Sequence, residues 1–370
     1  MEYIWATLWH DRRRFIPAIL AVAFSGFLAA SQAGLVVGTL DVVSLPVDRA
    51  TADVWVAARD LPTIDAGMPI PLHWMSRLNH LDIERIEPYI RGVGAWQRQG
   101  QGTEKCVILG MRLNPTAIGA PRDLTPEMRA RLSEPGAVVV DRDDLGRLGL
   151  AGTGEEIADI RGRRVRVVGT VNGFKGLGSA HVLCSLETAR LLLMLSPEQA
   201  TFLVAGCKPG TAPEIVRALR GHADMSAFSA ADLSLRSRLH WLSKTGAGVA
   251  LGLAAGLGLV VGAVVTSQTL FAATAASARE YAVLRAMGIP RWRIRAVVIM
   301  QSLCVGMIGT ALAVPAILLT SRLATTVGAT IRLPGPLLVA SAAIMVATAV
   351  VSGLFALRSV RLVEPSSLLR

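Results

Sequence analysis

The chain of 370 residues lacks the side-chain sets that carry most enzymatic chemistry. It has no G-x-x-x-x-G-K-[ST] loop, so it cannot hold a nucleotide in the P-loop manner. No H-E-x-x-H pair or G-x-S-x-G elbow occurs, and the six histidines are scattered. The run Gly149 to Gly154 has the glycines of a phosphate loop without its lysine, and reads as a turn between strands. Asp141, Asp143 and Asp144 follow a β-branched run, where short acids most often cap turns. Cysteine is scarce. Cys304 falls in an apolar stretch, and Cys106, Cys184 and Cys207 share a polar region where one disulfide is permitted and at least one thiol stays free. No spacing fits a metal site. The sequence therefore predicts no catalytic residue, no metal and no cofactor of its own.

Charge is also absent from four long stretches, bounded by Arg14 and Asp41, Lys244 and Arg279, Arg295 and Arg322, and Arg332 and Arg358. Each exceeds the roughly 20 apolar residues a helix needs to cross a bilayer. A hydrophobic content of 52% and a mean hydropathy of +0.48 agree with a multi-pass membrane protein. Spans without a single charge argue against a proton relay or an ion-coupled carrier. Arg12 to Arg14, the apolar stretch and Ser31-Gln32-Ala33 together imitate a cleavable signal peptide. The uncharged run continues to Leu40, however, and an even number of spans requires it to be retained.

The basic residues that flank the spans set an orientation. Arg12 to Arg14 precede the first span; Arg279, Arg285, Arg291, Arg293 and Arg295 separate the second from the third; Arg358, Arg361 and Arg370 follow the fourth. Short arginine-rich segments stay in the cytoplasm. Both termini and the connector are thus placed inside; a bacterial inner (plasma) membrane is what the family resemblance given below implies. Acids and bases nearly balance between Asp41 and Lys244, so the net charge of +11 and the pI near 10.5 report topology rather than nucleic-acid binding.

The expected order is a cytoplasmic N-terminus (1–14), a first span (15–40), a large extracytoplasmic α+β domain (41–244) and a second span (245–276). A cytoplasmic connector (277–295), a third span (296–321), an external turn (322–332), a fourth span (333–357) and a cytoplasmic tail (358–370) complete it. Within the external domain, DVWVA from Asp53, KCVIL from Lys105, AVVV from Ala137, VRVVGTV from Val165 and TFLVA from Thr201 read as strands. Pro126 to Leu132, Leu186 to Leu195 and Pro213 to Leu219 read as helices. Ser234 to Lys244, with Arg236, Arg238, His240 and Lys244, reads as a solvated linker returning to the membrane.

Two membrane-associated features stand out. Gly248, Gly252 and Gly256 repeat every four residues, with Gly258 and Gly262 as a further pair. Such glycines share a helix face and permit close helix contact, within the chain or across a dimer, although glycine is also common in membrane helices. In the connector, Ser277 to Met287 favours helix, Gly288 suits a left-handed cap, and Pro290 suits the start of the next helix. A basic, helix-prone connector is a surface that a soluble motor could grip; the plainer reading is a loop whose arginines only fix topology.

The residues Ala278-Arg279-Glu280-Tyr281-Ala282-Val283-Leu284-Arg285-Ala286-Met287-Gly288 resemble the R-E-x-x-[VL]-L-[RK]-A-[IML]-G segment of MacB/FtsX-type ABC transporter permeases. The tail from Arg361 to Arg370 is similar to that family's closing pattern. Ala52 to Val56 and Val138 to Asp141 are similar to its DevC-like branch. The resemblance implies one span, a large external domain and three further spans, paired as a homodimer or with a related permease. It implies that ATP is bound by a separate ABC ATPase subunit, which contacts Arg279, Glu280, Tyr281, Leu284, Arg285, Met287 and Gly288 as a coupling helix. A periplasmic adaptor and membrane lipid are the other partners it implies. Export of a substrate by mechanical transmission is the function expected. An FtsX-like relay that regulates an external partner without transport, or a receptor without a motor, are the alternatives.

Overall fold

The computed structural model describes residues 12–79, 81–98, 102–152, 154–176, 178–276, 283, 286–326 and 333–360. The chain divides into two compact units, one comprising Leu40–Gly248 and the other Met1–Thr39 with Val249–Arg370.

Among the described residues, four helices are long and apolar enough to cross a membrane. Their candidate spans are Phe15–Arg49, Gly246–Thr269, Arg295–Leu323 and Gly335–Leu354. Lipid tails are as apolar as leucine, so helices associate there through close packing rather than through the hydrophobic effect. Glycine provides the closeness. A Cβ added at Gly309 would lie 2.7 Å from Val22 Cβ, and one at Gly353 would lie 2.0 Å from Ser302 Oγ. Phe15, Ala18 and Val22 of the first helix are buried with Val305, Met345 and Ala349 of the third and fourth.

The unit Leu40–Gly248 is an α+β domain built on a nine-stranded sheet. Its strands are β1 (Val54–Ala58), β3 (Ile83–Gln97), β4 (Thr103–Met111), β5 (Ala137–Asp141), β6 (Glu156–Ile160), β7 (Arg163–Val171), β8 (Ala180–Ser185), β10 (Phe202–Cys207) and β11 (Met225–Ser229). The short β2 (Ile70–Pro71) and β9 (Gln199–Ala200) pair separately. The order is β11-β1-β10-β3-β4-β8-β5-β7-β6, and β6 also pairs with β3 through Trp96↔Ile160. Six strands therefore close into a ring. The first half of β3 belongs to the antiparallel group with β10, β1 and β11, and its second half belongs to the ring. The expected strands and helices are all present, and the 1+3 arrangement of spans around an α+β domain is borne out.

Alternation of side chains gives the domain three cores. Trp55 packs edge-on against Tyr89 at 5.1 Å and Phe202 at 5.7 Å, a geometry that suits aromatic quadrupoles. Trp96, Ile160 and Val182 belong to a second core. The helix Ala212–Leu219 covers Val54, Val56 and Leu203 in a third.

Two expectations are corrected. Ser234 to Lys244 is not a solvated linker: it lies in the helix Ala230–Lys244, whose start is capped by Ser229 Oγ accepting from Asp232 N–H at 3.1 Å. Leu233 and Ser237 are buried, and Ser237 Oγ accepts from Ile64 N–H at 3.0 Å. Of the charges that suggested a linker, Arg236 and Lys244 are exposed, whereas Arg238 is half-buried against the first helix. The first helix runs as Arg12–Arg49, past the expected end at 40. Leu45 and Val47 of its last turns are buried in the core of the sheet domain.

All four cysteines are free. Cys106 faces Ala180 across the β4/β8 pair and Cys184 faces Gly110. Four strand positions separate them by about 13 Å at ~3.3 Å per residue, beyond the ~7 Å Cα limit of a disulfide. Burial pushes the Cys106 thiol up to about 12, so it is inert at neutral pH.

The acidic turn after β5 does cap, and it also holds a buried loop. Asp141 accepts from Asp143 N–H at 2.9 Å and from Phe174 N–H at 2.5 Å; Asp144 accepts from Gly176 N–H at 3.2 Å. His181 Nδ1–H donates to Phe174 O at 2.8 Å, which fixes the neutral tautomer. Burial pushes His181 down to about 4 from an ordinary 6.5. Its contribution to stability is therefore complete above pH 6.5 and is lost as pH falls toward 4, about 3 kcal/mol in all. Burial raises Asp141 and Asp144 above the ordinary 3.8, so their contribution runs the other way and is lost as pH rises above that value. His181→Gln is expected to flatten the loss of stability between pH 6.5 and 4 in denaturant titrations of the full chain. An unchanged slope would assign that loss to other groups.

Candidate functional site: the connector and the stalk clamp

Of the predicted coupling residues, Arg279, Glu280, Tyr281, Leu284 and Arg285 lie outside the described residues. Met287 and Gly288 lie within them. Met287 N–H donates to Val283 O at 3.0 Å, the signature of a helical turn, and Gly288 follows with φ of 85°. A residue with a Cβ would be strained there. Arg293 N–H donates to Pro290 O at 3.0 Å as the helix Arg291–Thr326 begins. The break therefore has the glycine and proline positions read from the sequence. Met287 and Trp292 stand 66% and 64% exposed, and the Arg293 guanidinium lies over the Trp292 ring at 5.4 Å. A tryptophan and arginines at a span's end suit the headgroup layer; Met287 offers an apolar contact beside them.

Of the three glycines singled out for packing, neither Gly248 nor Gly256 has an atom of a neighbouring membrane helix within 4 Å of an added Cβ. Gly248 sits at the joint after Ala230–Lys244, where an added Cβ would lie 2.1 Å from Trp241 O. Its N–H donates to Thr245 Oγ1 at 3.0 Å. Gly252 is half-buried, and Gly256 is exposed with open space around it. The close contact passes instead through Gly258, against Gln32, and Gly262, against Ser25. Ser25 Oγ donates to Gly262 O at 3.0 Å and accepts from Thr266 Oγ1 at 3.2 Å. Residues 258, 262 and 266 thus form one small, hydrogen-bonding face.

A cluster that sequence reasoning missed lies where the first helix enters the sheet domain. Asp41, Ser44 and Asp48 recur at spacings of three and four, which places them on one helix face. Arg238 of Ala230–Lys244 meets all three. Its Nε donates to Ser44 Oγ at 2.8 Å, and its Nη2 lies 2.7 Å from Asp48 Oδ2 and 3.1 Å from Asp41 Oδ1. Ser44 Oγ also donates to Asp48 Oδ2 at 2.6 Å. The planar guanidinium suits such a fork better than an ammonium. The sheet domain is thereby bolted at one point to both chain segments that connect it to spans: residues 40–49 lead from the first, and 230–244 lead toward the second.

Among the described residues no group of three or more His, Cys, Asp or Glu could hold a metal.

Residues 252–365 match the family model described as "FtsX-like permease C-terminal". The matched segment holds most of the second span, the connector and the last two spans, so the resemblance to MacB/FtsX-type ABC permeases is borne out, though the DevC-like branch is not reached. Permeases of this type are transporter subunits that work with ABC ATPase partners. Two solved structures are similar to this chain. One is the extracellular domain of a noncanonic ABC-type transporter, YknZ, from Gram-positive bacteria: 10% identical, covering 48% of this chain and 98% of that one, with a TM-score of 0.34. The other is the periplasmic region of MacB from Actinobacillus actinomycetemcomitans: 10% identical, covering 54% and 97%, with a TM-score of 0.34. Curated protein sequences give no match.

Proposed function

We propose that this multi-pass membrane protein is the permease subunit of an ABC-type exporter, driven by a separate ATPase that grips the connector from the cytoplasm. Both termini face the cytoplasm and the sheet domain faces outward across a bacterial inner membrane. Two copies pair, for which the open surface at Gly256 leaves room, and a periplasmic adaptor receives the substrate. The observation that carries the reading is the FtsX-like segment 252–365, which holds the connector, in a chain that lacks any P-loop. Nucleotide state would move the helices, and the Arg238 clamp would pass that movement into the sheet domain.

The permease should copurify with an ATPase and hydrolyse no ATP alone. ATP turnover at transporter rates by the partner-free chain would overturn the division of labour. ATP-driven movement of the sheet domain with no cargo appearing outside would favour the relay reading.

A further inference from the structure

A groove of about 990 Å³ opens on the sheet domain between the chain around Arg59, the turn after the helix Ala212–Leu219, and the outer face of Ala230–Lys244. Its charge is lopsided. Arg59, Arg220, Arg236 and Lys244 line it against Asp60 and Asp232. Arg59 pairs with Asp60 at 3.7 Å, and Asp232 accepts from the Ser229 hydroxyl at 2.7 Å as part of the helix cap. Both acids are thus engaged, while Arg220, Arg236 and Lys244 form no ion pair with an acid among the described residues. Arg236 is held by stacking on Phe228 at 5.2 Å, which leaves its N–H groups free for an incoming oxyanion.

Apolar surface lies beside these cations. Leu235 and Leu239 are 57% and 55% exposed, one helical turn apart on the groove wall. Two exposed leucines on one helix face, beside arginines, give the groove wall an apolar stripe next to its cations. The lining ends at Lys244, just before the candidate span that opens at Gly246.

We propose that this groove binds an anionic amphiphile, a phosphate-bearing lipid. Its headgroup lies against Arg220, Arg236 and Lys244, and its acyl chain lies along Leu235 and Leu239. Three cations without an acid partner suit an anion, and the adjoining exposed leucines suit an apolar tail on the same molecule. A free phosphate would satisfy only the first. The groove stands as a binding site whether or not the chain exports; that such an amphiphile is also the cargo class rests on the export reading.

The test uses the full chain in nanodiscs with two probes carrying a photoactivatable acyl chain, a phosphatidic acid and an uncharged diacylglycerol. Phosphatidic acid should give adducts within 227–244, and the diacylglycerol should give at least ten-fold fewer there. The triple variant R220E/R236E/K244E should lower the phosphatidic acid adducts about ten-fold, and Leu239→Asp should lower them with the cations intact. Excess inorganic phosphate should compete weakly. Equal labelling by both probes, adducts confined to the spans, or full labelling of the charge-reversed variant would overturn the proposal. So would loss of a captured protein partner in that variant with lipid labelling unchanged. None of these readouts uses ATP, so they fail or succeed independently of the ATPase experiment.

Discussion

Replacing Leu284 or Arg285 with glutamate is expected to weaken ATPase binding about 100-fold while leaving insertion of the chain intact. An acid placed where a partner meets an apolar or basic group becomes a desolvated, unpaired charge, at a cost of about 3 kcal/mol, and each 1.4 kcal/mol is tenfold in affinity. Both positions precede the Gly288 break, outside the candidate spans Gly246–Thr269 and Arg295–Leu323. Folding in the bilayer should therefore suffer little. Pull-down of the ATPase by variant and parent at matched membrane levels measures the effect. Wild-type recruitment and transport by both variants would return the connector to a loop that only obeys the positive-inside rule.

Arg238→Ala should separate ATP turnover from its mechanical result. The substitution removes two ion pairs and the hydrogen bond to Ser44. The groups are about one-third exposed at most, so screening limits the loss to about 2 kcal/mol. That is too little to unfold the domain but enough to let the two stalk segments part. ATPase recruitment and hydrolysis should remain near the parent value while transport falls at least ten-fold. Spin labels at Val42 and Ser243 should report a broadened distance distribution. Arg238→Lys should be intermediate, because an ammonium cannot reproduce the fork. A variant with an unbroadened distance and full transport would reduce the clamp to an ordinary surface ion pair.

The sequence disclosed the spans and the β-branched strands because both signals are local. Runs such as AVVV at Ala137 and the uncharged stretches announce themselves within a few residues. Ile83–Gln97 was missed because IERIEPYIRGVGAWQ carries Pro88, two glycines and alternating charges, which together read as breakers. The fold tolerates them through distant partners. Glu87 is buried but accepts from Ile118 N–H at 3.0 Å, and Gly92 and Gly94 make room for Leu193 and Ile108. The clamp was illegible for the same reason. Arg238 looked solvated because its carboxylates lie far upstream in a segment read as domain rather than helix. Chemistry formed within one element can be read from its own residues, whereas chemistry formed between elements needs the pairing to be known.

The position of β1 also dictates when the domain can form during synthesis. That strand lies between β10 and β11, and the first half of β3 has β10 as its ladder partner. A nascent chain halted before Phe202 can complete the ring strands, yet it leaves β1 bare on both edges. Unpaired, apolar edges of this kind recruit foreign strands, and pairings so distant in sequence form slowly. The last strand emerges only shortly before the second span. Folding of the domain can therefore finish only when the chain up to the start of the second span has been made.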